Sequence, residues 1–94
     1  MSQEKQLNIK AKNEDLKGKY SNMMQVLHTK EEFILDFFFV SPPTGGILAS
    51  RIVMSPSHFK RMIKALHENV KKYEKSFNEI EEAKAPESNI GFNA

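Results

Sequence analysis

Asp36 and Arg51 are the residues of this chain whose chemistry stands out most. Each is the only charged residue in a strand-like apolar run, 33–40 for Asp36 and 47–54 for Arg51. A carboxylate beside a guanidinium can bind an anion or take part in acid/base chemistry. The same two groups also form bidentate ion pairs that fix strand register. We favour the ion pair, because catalysis needs further polar groups in a cleft and the sequence does not supply them.

The remaining candidates for chemistry are histidines, a serine cluster and a glycine pair. His58 and His67 are nine residues apart, and neither has a second ligand one helical turn away, so no metal site is predicted. Ser55 has the position of a helix cap rather than of a nucleophile. Gly45 and Gly46 lack the lysine and the following helix of a phosphate-binding loop. We therefore expect no catalytic residue, no metal and no cofactor, and a protein that is not an enzyme.

Four lysines recur at helical spacing in the C-terminal half, namely Lys60, Lys64, Lys71 and Lys75. Such a stripe can contact nucleic-acid phosphates. It is also the ordinary solvated face of a helix whose other side is apolar. We prefer the solvated face, because the formal net charge is only +2 and no aromatic residue on the lysine face could stack on bases. Nucleic-acid binding through these lysines stays open as an alternative.

Three strands and one helix must position these groups. The predicted strands cover residues 20–27, 33–40 and 47–54, and the second and third are joined by a loop with Pro-Pro and Gly-Gly pairs. Closing the first hairpin around residues 29–30 places Val26 opposite Phe33. The pairs predicted for the second hairpin are Val40 with Ile47, Phe38 with Ala49, Asp36 with Arg51 and Ile34 with Val53.

A long helix is predicted after the third strand, with Ser55 as N-cap, Pro56 at the first helical position and an end near Ile80. Its apolar residues alternate at spacings of four and three, which is a heptad pattern. They are Phe59, Ile63, Leu66, Val70, Tyr73, Phe77 and Ile80. At ~1.5 Å per residue the helix would span roughly 37 Å, longer than the roughly 26 Å of an eight-residue strand.

The run 33–40 is apolar on both sides of the strand, since strand side chains alternate between faces. The first half of the helix is expected to cover one face, carried by Phe33, Leu35, Phe37, Phe39, Leu48, Ile52 and Met54. The other face and the distal helix then need a neighbour, and a second copy of the chain is the simplest one. The predicted dimer interface comprises Ile34, Asp36, Phe38, Val40, Arg51, Val53, Val70, Tyr73 and Phe77.

The two ends of the chain lack helical or strand periodicity. Residues 1–19 are predicted to be a flexible N-terminal arm and residues 81–94 a flexible tail, on either side of one domain at 20–80. Ile90 and Phe92 are apolar residues of the tail for which the sequence indicates no docking site. The chain has no cysteine and no apolar segment of the ~20 residues that a membrane helix needs, so we expect a cytoplasmic protein without membrane contact.

Several short motifs occur in order along the domain: Tyr20-Ser21-Asn22, Glu32-Phe33 with Leu35-Asp36-Phe37, the run from Ser50 to Pro56 followed by His58 and Lys60, and Leu66, Asn69, Tyr73-Glu74 and Phe77. Over residues 20–80 they resemble a family of short prokaryotic proteins classed only as a domain of unknown function. That resemblance implies a bacterial or archaeal source and no assigned reaction. At Asn78 the family usually has glycine, and asparagine also tolerates a left-handed helix cap.

The sequence thus predicts an α+β domain, a three-stranded antiparallel meander followed by one long C-terminal helix, which is homodimeric. The expected role is that of a non-enzymatic interaction or scaffold module. One alternative is a nucleic-acid-associated protein using the lysine face. Another is a holdase that captures unfolded chains on its apolar sheet, loosely similar in its order of strands and helix to the export chaperone SecB.

Overall fold

The fold is a three-stranded antiparallel sheet followed by a long helix, as seen in a computed structural model that describes residues 6–84 and 89–93. The elements in chain order are α1 (Asn13–Lys17), β1 (Met23–His28), β2 (Phe33–Val40), β3 (Gly46–Met54) and α2 (Pro56–Ser76). The strands lie in the order β1-β2-β3. The predicted α+β class, the antiparallel meander and the long C-terminal helix are confirmed.

The first hairpin has a different register from the predicted one. Val26 lies opposite Leu35 rather than Phe33. The cause is the turn: the Thr29 hydroxyl accepts hydrogen bonds from the N–H groups of Glu31 and Glu32, both at 3.2 Å, and this holds a four-residue loop open where a tighter one was predicted. Because the shift is by two residues, every side chain keeps its predicted face.

Two polar side chains fasten the chain before β1 to the end of β2. The Asn22 side-chain amide donates to the Val40 carbonyl and its oxygen accepts from the Val40 N–H, both at 2.9 Å. The Ser21 hydroxyl donates to the Phe38 carbonyl at 3.0 Å. Strand β1 begins at Met23, three residues later than predicted. The preceding segment is held to β2 by these side chains together with the Asn22 N–H, which donates to the Phe38 carbonyl at 3.0 Å.

The second hairpin is partly as predicted. Asp36 pairs with Arg51 and Ile34 with Val53, but the register shifts between Phe37 and Phe38. Phe38 pairs with Leu48, and Val40 with Gly46, so the predicted pairs with Ala49 and Ile47 are wrong. A β-bulge at Ala49 explains the shift, since two residues of β3 there oppose one residue of β2. The Ala49 carbonyl accepts a hydrogen bond from the Lys19 ammonium at 3.1 Å.

The loop between β2 and β3 depends on its two glycines. Gly45 has a φ of 104°, a conformation that L side chains rarely adopt. A Cβ on Gly46 would lie 2.7 Å from the Phe39 carbonyl oxygen. The peptide bond between Pro42 and Pro43 is cis. The interpretation of the glycine pair as hairpin chemistry is confirmed.

Helix α2 starts where it was predicted to start and ends earlier. The Ser55 hydroxyl accepts from the His58 N–H at 3.2 Å, which confirms the N-cap and leaves Pro56 in the first turn. The helix ends at Ser76 because Phe77 leaves the helical conformation, with φ −120° and ψ −73°. The Glu74 carboxylate then accepts from the Ile80 N–H at 2.8 Å. No non-glycine residue among those described has a positive φ, so Asn78 is not a left-handed cap.

The core is small and lies on the central strand. Leu35, Asp36 and Phe38 are the described residues classed as buried, because β2 alone has a strand on each side. The accessible surface is 9295 Å², whereas a compact protein of 10.8 kDa would expose roughly 5,500 Å². The radius of gyration is 16.9 Å, compared with about 12 Å for a compact chain of this length. The single chain leaves much apolar surface in contact with water.

Helix α2 does not cover the sheet as predicted. Its first turn is anchored by Phe59, whose ring stacks on that of Phe33 with centroids 4.1 Å apart, but the helix makes few other contacts with the sheet and has no buried residue. Phe39 and Ile52 stay exposed on the face that the helix was expected to shield. A single residue with extended backbone, Ser55, connects the helix to β3, and beyond its first turn the helix stands away from the sheet.

Candidate protein-interaction surfaces

One side of the sheet, which we call the even face, carries the predicted ion pair. It presents Ile34, Asp36, Phe38 and Val40 of β2, with Met23, Gln25 and Leu27 beside them on β1 and Leu48, Arg51 and Val53 on β3. Leu48 was predicted on the opposite face. The bulge at Ala49 moves it next to Phe38 and makes this part of the even face more apolar.

Asp36 and Arg51 form a bidentate ion pair at the centre of the even face. Arg51 Nε donates to Asp36 Oδ1 at 2.6 Å and Nη2 donates to Oδ2 at 2.8 Å. The carboxylate is fully covered, while the arginine side chain is 48% exposed. The hydrogen bonds from Arg51 lower the pKa of Asp36 against the opposing effect of burial, and the Arg51 charge and the Gln25 side chain also lower it.

This geometry fits a structural pair rather than an acid/base or anion site. Both carboxylate oxygens accept from Arg51, so the side chain stays ionised and has no free oxygen aimed into a cleft. The guanidinium is likewise engaged by Asp36, which raises its pKa. Removal of Arg51 alone would leave the covered Asp36 carboxylate without its partner in an apolar face.

The C-terminal segment 89–93 covers one end of the even face. The Phe92 ring lies 5.9 Å from that of Phe38, and Arg51 Cζ lies 5.5 Å from the Phe92 ring centre, within the range of a cation–π contact. A groove of about 500 Å³ separates this segment from Met23, Phe38 and Leu48. The opposite end of the even face is open, since Leu27 and Val53 are about half exposed.

The second surface is the apolar stripe of α2, which we call the seam. Its members after the first turn are Ile63, Leu66, Val70, Tyr73 and Phe77, and they are between 43% and 67% exposed. Tyr73 and Phe77 contact each other, with ring centroids 4.9 Å apart. An amphipathic helix ordinarily buries such a stripe. Here the described part of the chain offers it no partner.

The four lysines at 60, 64, 71 and 75 are exposed along α2. The helix carries six lysine or arginine side chains and two glutamates, so its formal charge is +4. Because the helix stands away from the sheet, the lysine face and the seam are both accessible to a partner.

The described residues contain no group of three or more His, Cys, Asp or Glu side chains placed to hold a metal ion. In the same part of the chain, no helix combines the length and the apolar character needed to cross a membrane.

The structure brings together some of the predicted interface residues and separates others. The even face carries Ile34, Asp36, Phe38, Val40, Arg51 and Val53. The seam carries Val70, Tyr73 and Phe77, the last of which directly follows the end of α2. Burial of these residues by a second copy stays a prediction. The flexibility of residues 1–19 and 81–94 also stays a prediction. Residues 1–5, 85–88 and 94 lie outside the described residues, and the described part of the first segment contains the short helix α1.

Sequence reasoning missed Phe92 as a member of the even face. The available signal was an aromatic residue beside Gly91 in a polar segment, which suggests docking but identifies no site. It also missed Ser21 and Asn22, whose position just before a strand is typical of side chains that bind backbone groups.

Comparison with other proteins adds a family but no activity. No curated protein and no solved structure matches the chain significantly. The model of a family described as a protein of unknown function (DUF3467) matches residues 1–82. That match covers most of the chain, and the protein therefore belongs to the DUF3467 family.

Proposed function

We propose that this protein is a non-enzymatic interaction module that acts as a homodimer, joined through the seam of α2 and the even face of the sheet. The observation that carries the proposal is the seam itself. It is a heptad stripe on a 21-residue helix in which no residue is buried. Burying this apolar surface in an interface would stabilise the dimer by roughly 25 cal/mol for each Å² removed from water.

The available area supports an interface of ordinary size. The chain exposes roughly 3,700 Å² more than a compact protein of its mass would. A standard interface buries about 800 Å² on each partner. Helix α2, at about 31 Å long, is therefore long enough to contribute a large part of one.

A second copy is the partner that these surfaces fit most simply. In a two-fold dimer the same patch of each protomer is used, and a heptad seam can pair with an identical seam, as coiled coils do. The half-exposed residues Leu27 and Val53 on the even face would extend the interface beyond the helices. The ion pair of Asp36 and Arg51 would then lie within the dimer contact, where it holds the strand register.

The test is the mass of the full-length chain in solution, measured by light scattering over a range of concentrations. We expect twice the 10.8 kDa of one chain. Leu66→Lys places a charge in the seam and should give monomers with unchanged helical circular dichroism, because Leu66 is already more than half exposed in the single chain. Ala65→Lys adds the same charge at the preceding residue, which is exposed and lies outside the seam, and should leave the dimer intact.

Two results would contradict the proposal. One is a monomeric wild-type protein at every concentration. The other is a dimer that tolerates Leu66→Lys as well as it tolerates Ala65→Lys, which would exclude the seam.

A second candidate function is binding to nucleic acid, favoured by the formal charge of +4 on an accessible helix. Phosphate contacts make such binding steeply salt-dependent. A gel shift with duplex DNA and with single-stranded RNA at low and at physiological salt would detect it. Lys64→Ala combined with Lys71→Ala should then weaken binding, whereas Leu66→Lys should not.

A further inference from the structure

We infer that residues 89–93 are a removable cover of the even face, so that the C-terminal segment competes with the second protomer for this surface. The inference rests on the proposed homodimer, whose sheet contact includes Phe38 and Arg51. It adds a form of regulation: a protomer must release its own Phe92 before that end of the even face can be shared.

The contacts of the segment converge on residues of the predicted interface. Phe92 contacts Phe38 through its ring and Arg51 through its π face, and Ile90 is half-buried. Phe38 is buried beneath the segment, but Leu48 beside it is still 43% exposed. The segment therefore covers this end of the even face only in part.

The cover is small enough to be displaced. Phe92 remains 55% exposed, so it buries less than half of the 150–250 Å² that an aromatic side chain offers, or about 90 Å². A groove of about 500 Å³ stays between the segment and the sheet, which shows that the two surfaces are not closely packed. A standard interface buries about 800 Å² per partner, many times the area that the Phe92 side chain buries.

The cover also lies outside the region shared with the family. The match to the family model ends at residue 82, and Phe92 lies ten positions later. The even face belongs to the matched region, while the residues that cover it do not. A separate segment that acts on a shared surface is the arrangement expected of a regulatory contact.

The experiment compares full-length wild-type protein with Phe92→Ala in sedimentation equilibrium. Leu7→Ala is the matched control, because Leu7 is a strongly exposed apolar residue near the other end of the chain. If each protomer has a free even face about one third of the time, the dimer dissociation constant should fall about tenfold in Phe92→Ala, since both protomers must be uncovered. Nuclear Overhauser contacts between the rings of Phe92 and Phe38 at low concentration test the cover directly.

The outcomes separate this inference from the proposed function. Tighter association of Phe92→Ala with unchanged Leu7→Ala, together with the ring contacts in the monomer, supports the cover. Equal association constants in all three proteins, or absence of the ring contacts, overturns the cover and leaves the dimer standing. Weaker association of Phe92→Ala also overturns it, because the segment would then bind the partner. Monomers throughout would overturn both proposals.

Discussion

Phe38 and Phe39 are adjacent phenylalanines on opposite faces of β2, and they give a matched test of how well each face is covered at that end of the sheet. Phe38 is 6% exposed and Phe39 is 39% exposed. Replacing a well-buried phenylalanine by alanine typically costs about 3–5 kcal/mol. We expect Phe38→Ala to fall in that range.

The difference between the two variants follows from their exposed fractions. On an aromatic area of about 200 Å², Phe38 buries roughly 65 Å² more than Phe39. At about 25 cal/mol per Å² that difference is worth roughly 1.6 kcal/mol, and the cavity left by Phe38 adds to it. Phe38→Ala should therefore destabilise the protein by about 2 kcal/mol more than Phe39→Ala.

The assay is urea unfolding followed by circular dichroism, repeated at several protein concentrations so that dimer dissociation is separated from unfolding. The stability of wild-type protein should rise with concentration, and Phe38→Ala should reduce that dependence more than Phe39→Ala. If Phe39→Ala proved as costly as Phe38→Ala, the opposite face would be covered equally well at this end, and the assignment of the interface to the even face would be refuted.

Further predictions concern the ion pair and the loop. Arg51→Ala should lower the unfolding midpoint clearly more than Lys64→Ala, because it leaves the Asp36 carboxylate buried without its main partner; equal midpoints would mean that the pair contributes nothing. Since Arg51 lowers the pKa of Asp36, the pair stabilises the fold above the unfolded value near pH 3.9, and this contribution is lost as the pH falls through the lower, folded value. Unfolding measured between pH 2 and pH 6 should show that loss in wild-type protein, and Asp36→Asn should lack it. Gly46→Ala should lower the melting temperature, because its Cβ would lie 2.7 Å from a backbone oxygen of the second hairpin. Gly91→Ala is the control and should be neutral, because a Cβ at Gly91 meets open space. Similar melting temperatures for the two variants would contradict the close backbone approach at Gly46.

The parts of the fold that depend on local patterns could be predicted from the sequence. Strand β2 was predicted with its observed bounds, because its apolar run is flanked by turn residues. The start of α2 followed from a capping serine before a proline. The pair of Asp36 and Arg51 followed from the hairpin register, since only one alignment places the two charges together.

The parts that depend on longer-range geometry could not be predicted. Nothing local marks Ala49 as a bulge, yet that single residue changes the register of the rest of the hairpin and moves Leu48 to the other face. The direction of α2 is set by the extended backbone of Ser55, with φ −68° and ψ 154°. The hydrophobic pattern alone predicts instead that the helix folds back onto the sheet. The contact of Phe92 with Phe38 joins residues far apart in sequence and has no periodicity to reveal it.

The hydrogen bond from Lys19 to the bulged Ala49 bears on how copies of this chain can meet. Strand β3 lies at a margin of the sheet, with no other described strand beyond it, and such a margin can template continuous pairing between molecules. An incoming strand would have to match the irregular backbone of the bulge. It would also have to displace the Lys19 ammonium group from the Ala49 carbonyl before it could donate a hydrogen bond there. Open-ended growth into fibrils is thereby disfavoured along this side, while contacts made through faces and helices remain unobstructed.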